Sequence, residues 1–167
     1  MRVLGREGHI LAEGQAMVAA ALFRTYLREL AEKLSTGDAT ERSHYPPLET
    51  LLSGVGGDVL VLNEPRRIEC GAPDFIISRG QTPVGYVEAK DVGVNLDSIE
   101  RSDQMERYLD SLNNLVLTDY LEFRWFVEGE HRHTAKLGTL TRDGRIRKRS
   151  GGTEDVAHLL QGFFAQN

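Results

Sequence analysis

The chain changes its hydrophobic period once, at the glycines of SGVGGD (53–58), and that change limits the folds open to it. Upstream, Ala16, Ala20, Phe23, Leu27, Leu30 and Leu34 recur at helical spacing in an Ala/Leu/Glu/Arg-rich run, which predicts a long amphipathic helix over about 13–34. STGDAT (35–40) interrupts it. A second, shorter helix is expected to open at Pro46 and Pro47, since a first turn tolerates proline, and to run through Leu48, Leu51 and Leu52. Beyond Gly57 the pattern becomes extended. DVLVLNEP, DFIIS and VGYVEAK are β-branched, apolar and bounded by turn residues, so they read as three strands.

Further on, NLDSIERSDQMERYLDSL (95–112) reads as one helix, with Asp97 as its N-cap and Glu100 placed for a capping box. NLVLTD and LEFRWFVEG add two strands. HTAKLGTL and GRIRKRS form a weaker hairpin around an RDG turn, and DVAHLLQGFFAQ is a closing helix. There is no internal repeat or interdomain linker. The order implies a single α/β domain around a mixed sheet, with a helical part over 8–54, a core over 55–127, and a basic hairpin and terminal helix over 128–167.

Composition narrows the function classes. A chain of 167 residues with 40% hydrophobic and 27% charged residues is that of a water-soluble domain. The most apolar stretch, near 16–23, is far too short to span a bilayer, so no membrane partner is expected. The N-terminal MRVLGREGHILAEG lacks the apolar segment of a secretion signal, and the one cysteine, Cys70, asks for no oxidising compartment. A cytoplasmic location is the expectation. The net charge of −5 argues against coating nucleic acid by bulk electrostatics. Yet residues 131–150 hold seven Lys or Arg against one acid, Asp143. A basic strip on an acidic body suits contact with phosphate at one place, and it equally suits a solvated hairpin.

The stretch GAPDFIISRGQTPVGYVEAKD (71–91) carries the chemistry. A turn centred on Gln81 places Asp74 directly opposite Glu88 in an antiparallel hairpin, where side chains share a face with Cβ atoms about 4.5–5.5 Å apart. Lys90, two residues past Glu88, falls on the same face. A one-residue slip would separate them. Opposed carboxylates repel, so something positive belongs between them: Lys90, or a hard divalent cation such as Mg²⁺. Pro73 and Gly71 favour an extended entry and close backbone approach. A surface ion-pair cluster fits the same spacing equally well.

Pro73-Asp74 followed by Glu88-Ala89-Lys90, with strands on both sides and a helix then a strand after them, resembles the PD-(D/E)xK nuclease superfamily. Gln104 and Tyr108, four apart in QMERY, resemble the Q-x-x-x-Y signature of one branch, although on spacing alone a half-exposed helix face explains them better. The resemblance covers about 45–125, the αβββαβ core of a restriction-endonuclease-like fold. It is closest to the nuclease domains at the N-termini of fused (type IIG or ISP-like) restriction–modification polypeptides. Nothing in the chain resembles a methyltransferase motif or a P-loop, so the chain reads as an excised domain or a stand-alone relative.

The resemblance implies a Mg²⁺-dependent DNA endonuclease of a restriction–modification system, with Mn²⁺ able to substitute. Asp74, Glu88 and the carbonyl of Ala89 would hold metal, joined by a helical carboxylate, for which Glu49 is preferred over Glu41. Lys90 would orient or help deprotonate water and stabilise developing charge, supported by Gln104 and Tyr108. Arg142, Arg145, Arg147, Lys148 and Arg149, with Arg66 and Arg67, would contact double-stranded DNA through phosphate. Methyltransferase or specificity domains in a parent polypeptide, and a transient homodimer for double-strand cleavage, are the other implied partners. The alternative is a catalytically silent binding module of the same fold. His131 and His133 lack a third metal ligand and fit a solvated turn better. Cys70 reads as a small buried residue, and Phe123, Trp125 and Phe126 as core.

Overall fold

The structure, a computed structural model, describes residues 4–166. The helical period of the N-terminal region produces α1 (Leu4–Ser35), which buries Phe23, Tyr26, Leu27 and Leu30. It begins well before the predicted start. Ile10, Met17 and Val18, in the first half of α1, are exposed. Apolar periodicity reports burial, so it marked the part of α1 that carries Phe23, Tyr26, Leu27 and Leu30. The chain reverses at Gly37 (φ 75°), passes a 3-10 turn (Glu41–His44) and enters α2 (Tyr45–Gly56). Pro46 and Pro47 occupy the first turn of α2, and Leu48, Leu51 and Leu52 are buried.

Six strands then build one mixed sheet: β1 (Leu60–Asn63), β2 (Phe75–Arg79), β3 (Thr82–Ala89), β4 (Asn114–Thr118), β5 (Glu122–Val127) and β6 (Glu130–Lys136), in that spatial order. Every neighbouring pair is antiparallel except β3–β4, which is parallel and joined by a crossover through α3 (Leu96–Glu100) and α4 (Asp103–Ser111). A two-stranded sheet of β7 (Gly138–Leu140) and β8 (Ile146–Lys148) follows, then α5 (Gly152–Ala165). Helices α1, α2 and α5 cover one face over Phe75, Ile77, Val87, Val116 and Phe123. Met105, Tyr108 and Leu112 cover the other over Leu115, Leu117 and Phe126. Covered on both faces, β4 is buried at every residue, the polar Asn114 and Thr118 at its ends included. Phe123 and Phe126 therefore belong to opposite cores, with Trp125 half-buried.

Two expectations are corrected. The helix over 95–112 is two helices. The Asn95 side chain, not that of Asp97, caps the first by accepting from the N–H groups of Asp97 (3.0 Å) and Ser98 (3.3 Å). Ser102 caps the second by accepting from the Met105 N–H (3.3 Å). Asp97 and Glu100 are drawn instead to Arg124 of β5, which also holds Glu122 at 2.7 Å. HTAKLGTL is likewise not one strand of a separate hairpin. It divides at Leu137, and its first half belongs to β6, the sixth strand of the main sheet.

The β2–β3 hairpin has an instructive register. Ser78 opposes Pro83 and Arg79 opposes Thr82, so the turn is the pair Gly80-Gln81, centred half a residue earlier than predicted. Past Ile77 the register shifts, and Ile77 opposes Gly85, Ile76 opposes Tyr86 and Phe75 opposes Val87. Val84 is the extra residue of a β-bulge. The bulge restores the alignment that brings residue 74 to residue 88. Without it, Asp74 would face Val87, and Glu88 would oppose Pro73.

Candidate active site

Asp74 stands immediately before β2, Glu88 near the end of β3, and Lys90 just beyond it. The two acids interlock through backbone donors. The Asp74 N–H donates to Glu88 Oε2 (3.2 Å), and the Ala89 N–H donates to Asp74 Oδ2 (2.8 Å). Lys90 Nζ donates to Glu88 Oε1 (2.8 Å) and to Gln104 Oε1 (3.0 Å), and Gln104 Nε2 donates to the Tyr108 hydroxyl (3.4 Å). Thus Asp74, Glu88, Ala89, Lys90, Gln104 and Tyr108 meet at one end of the sheet. Helix α4 supplies the last two from one face, which is why their spacing of four matters. Tyr108 in turn shapes the entry to Asp74. Gly71 has φ 131°, and a Cβ there would lie 3.1 Å from the tyrosine ring.

Among the described residues, each carboxylate oxygen of the pair accepts one hydrogen bond, and an ionised carboxylate oxygen has room for a second. The fourth of these donors is Tyr45, whose hydroxyl donates to Asp74 Oδ1 (2.5 Å). Nothing in the sequence marked Tyr45 beyond its place before Pro46-Pro47. Its ring packs edge-on against Phe75, 4.9 Å between centroids.

The electrostatics describe carboxylates short of positive charge. The Glu88 side chain is only 3% exposed. Burial, with the neighbouring Asp74 charge, pushes its carboxyl up to about 7, against the opposing pull of Lys90. Lys90 is held above the ordinary lysine range: burial works against its charge, but the bond to Glu88 and the charges of Glu88, Glu41 and Asp74 outweigh it. It therefore stays an ammonium. Burial and the charges of Glu88 and Asp74 push Tyr108 up to about 12, so it remains a neutral hydroxyl.

Of the two helical glutamates, Glu49 accepts from Asn63 Nδ2 (2.9 Å) on α2, whereas Glu41 is the one coupled to Asp74 and Lys90. Burial and the Asp74 charge raise the Glu41 carboxyl. Glu41 sits in the 3-10 turn, anchored where Tyr120 donates to its carbonyl (2.7 Å). Among the described residues no three His, Cys, Asp or Glu side chains stand in a joint metal-ligand arrangement.

Asp119 was not anticipated either. Its carboxylate accepts from the N–H groups of Leu121 (3.1 Å), Glu122 (2.7 Å) and Gly93 (3.2 Å). With the bond from the Lys90 N–H to the Thr118 carbonyl (2.9 Å), it ties the loop after Lys90 to the end of β4. An acid at a strand end before a turn is the available signal.

Arg145, Arg147, Lys148 and Arg149 lie exposed along or beside β8, and Arg142 lies in the preceding turn. Arg66 and Arg67 are exposed on the loop between β1 and β2. His131 and His133 fall on β6 rather than in a turn, both exposed, and Cys70 is buried.

No protein-family model matches the chain, and no curated protein matches it. Among solved structures, it is similar to a chain of the DrdV–DNA complex determined by cryo-EM, with a TM-score of 0.67 and 20% identity over 87% of this chain and 96% of that one. That likeness shows the fold. A six-stranded mixed sheet flanked by helices is compatible with the restriction-endonuclease-like architecture. No helix among the described residues is long and apolar enough to cross a membrane.

Proposed function

We propose that this protein is a Mg²⁺-dependent DNA endonuclease of the PD-(D/E)xK type, serving as the cleavage domain of a restriction–modification system. The observation that carries the reading is the Asp74–Glu88–Lys90 cluster. Two carboxylates are packed together at a sheet end, one of them buried and strained towards protonation, with an ammonium beside them. Like charges directly opposed destabilise a sheet. DNA as substrate is supported by the neighbouring fold in the DrdV–DNA complex and by the exposed arginines of β8.

The donor set fits a hard divalent cation: lone pairs on Asp74 and Glu88, which the resemblance would supplement with the Ala89 carbonyl, and Glu41 close enough to add charge. Such a cation supplies a more acidic water and neutralises phosphate charge. The chain's own groups do the rest. Lys90 spends two of its three N–H donors on Glu88 and Gln104, which leaves one for a phosphate oxygen or an attacking water. Because Lys90 is held protonated, it orients and stabilises charge rather than accepting a proton. Gln104 fixes its direction, and Tyr108 fixes Gln104.

The test is cleavage of supercoiled plasmid with Mg²⁺ or Mn²⁺, comparing wild type with Asp74→Ala and Lys90→Ala. Each variant should lose activity by a factor of about 10³ or more. Undiminished cutting by both would remove these residues from the reaction. Calorimetric Mn²⁺ titration of wild type against Glu88→Gln tests the cation site without any DNA. Binding of metal and DNA with no cutting would favour a silent module of the same fold.

A further inference from the structure

The basic residues of the C-terminal hairpin do not form one strip. Strand β8 alternates, so Ile146 and Lys148 share one side and Arg147 takes the other. Ile146 packs against the core, which turns the Ile146/Lys148 side towards the last turns of α1. Between them lies a groove of about 670 Å³, lined by Arg24, Leu27 and Arg28 of α1 and by Arg145, Ile146 and Lys148 of the hairpin. Its floor is apolar and its rims are cationic. The acid at the groove, Asp143, lies 3.4 Å from Arg145, with both side chains exposed, and accepts from the Thr141 hydroxyl, so it draws little on the arginine. Arg28 reaches Glu32 only at 3.8 Å, with both side chains exposed. Among the described residues, Arg24 and Lys148 have no carboxylate partner.

The groove adjoins the catalytic end of the sheet. Gly93, three residues past Lys90, lies against Leu140 of β7, where an added Cβ would be 2.9 Å from the leucine. Three residues of chain span at most about 10 Å. On the other bank, Lys33 in the last turn of α1 is near enough to His44 for its charge, after burial, to hold the imidazole down. His44 immediately precedes Tyr45, the donor to Asp74. Duplex DNA presents one phosphate per about 3.4 Å of each strand, so a backbone leaving the carboxylates meets this groove within a few nucleotides.

We infer that the groove between α1 and the β7–β8 hairpin grips the phosphate backbone of duplex DNA, with Arg24 and Arg28 of α1 opposing Arg145 and Lys148. The inference takes its ligand class from the nuclease reading and adds the track along which that ligand lies. It assigns the first helix a binding role that its sequence position did not indicate. It also divides the hairpin: Lys148 faces the groove, while Arg147 faces away and contributes less.

The experiment measures affinity for a labelled duplex by fluorescence anisotropy in Ca²⁺ across a salt series, with no cleavage required. Arg24→Gln combined with Lys148→Gln should weaken binding by about ten-fold or more and lower the slope of log K against log salt by about 2. Arg147→Gln should change both less. All three positions are exposed, and circular dichroism checks that the variants fold. Equal losses for Arg147→Gln and Lys148→Gln, or an unchanged salt slope in the double variant, would overturn the groove while leaving the cation site at Asp74 and Glu88 intact. Loss of binding in a protein that never cleaves would support the groove and count against the nuclease reading.

Discussion

The Tyr45 hydroxyl and Asp74 Oδ1 stand 2.5 Å apart, joining the first turn of α2 to the entrance of β2. Burial, together with the bond to Asp74, raises the tyrosine above its ordinary range, so it is held as a donor. A donor to a carboxylate favours the ionised form and fixes its rotamer. Tyr45→Phe keeps the ring against Phe75 and removes only that donor. Mn²⁺ affinity measured by calorimetry should fall about ten-fold, with thermal stability lowered by no more than about 1 kcal/mol. Unchanged affinity would make Tyr45 a packing residue only.

Glu88 makes stability depend on pH in an unusual direction. Its carboxyl rises from 4.5 to about 7 on folding, because burial and the Asp74 charge disfavour ionisation. The folded state therefore binds that proton more tightly than the unfolded state. Its stabilising contribution is complete below about pH 4.5, shrinks as pH climbs, and is gone above about pH 7. In EDTA, urea midpoints should decline from pH 5 to 8 by the equivalent of about 1–3 kcal/mol, and Glu88→Gln should flatten the decline. Added Mg²⁺ should stabilise more at pH 8 than at pH 5.5, because it competes with the proton. A flat wild-type profile in EDTA would show that Glu88 is ionised throughout.

Gly71 couples the loop before Asp74 to the helix that holds Lys90. Its φ of 131° is strained for any residue with a Cβ, and that Cβ would press on the Tyr108 ring and hydroxyl at 3.1 and 3.2 Å. The buried ring has little room to retreat. Gly71→Ala should cost about 1–3 kcal/mol in urea denaturation. Tyr108→Phe/Gly71→Ala should recover little, because the backbone strain remains. A loss no larger than a few tenths of a kcal/mol would mean that the loop yields freely.

The legible parts of this fold were those in which local pattern and packing agree. Leu48, Leu51 and Leu52 announce α2, and residues 114–118 announce a strand. The facing of Asp74 and Glu88 was also legible, though by compensation. A turn half a residue early and an extra residue at Val84 cancel, and neither is visible in a run of apolar letters. The break at Ser102 was hidden because Asn95, Asp97 and Ser102 can all cap, and tertiary demand from Arg124 decides among them. Tyr45 and Asp119 act across 29 residues and 26 residues of chain respectively, where sequence pattern carries no signal.

Asn114 shows how the far side of the molecule sustains the site's alignment. Its side chain is buried and fully used: Nδ2 donates to the carbonyls of Val84 (2.7 Å) and Phe163 (2.8 Å), and Oδ1 accepts from Trp125 Nε1 (2.7 Å). Val84 is the bulged residue, so one side chain pins the bulge to the end of α5. Asn114→Leu has a similar volume but leaves two carbonyls and an indole N–H without partners, each costing about 1–3 kcal/mol. The expected loss in urea denaturation is about 3–5 kcal/mol, with some relief from water reaching Val84. Asn114→Asp, which keeps the acceptor for Trp125 but sets a buried carboxylate oxygen against the carbonyls of Val84 and Phe163, should lose at least as much. If the bulge sets the register of the acids, a stable Asn114 variant should also bind Mn²⁺ more weakly, although residue 114 lies at the opposite end of β4. Full metal affinity in such a variant would show that the alignment of Asp74 with Glu88 is held by their own interlocking bonds, the Asp74 N–H to Glu88 and the Ala89 N–H to Asp74.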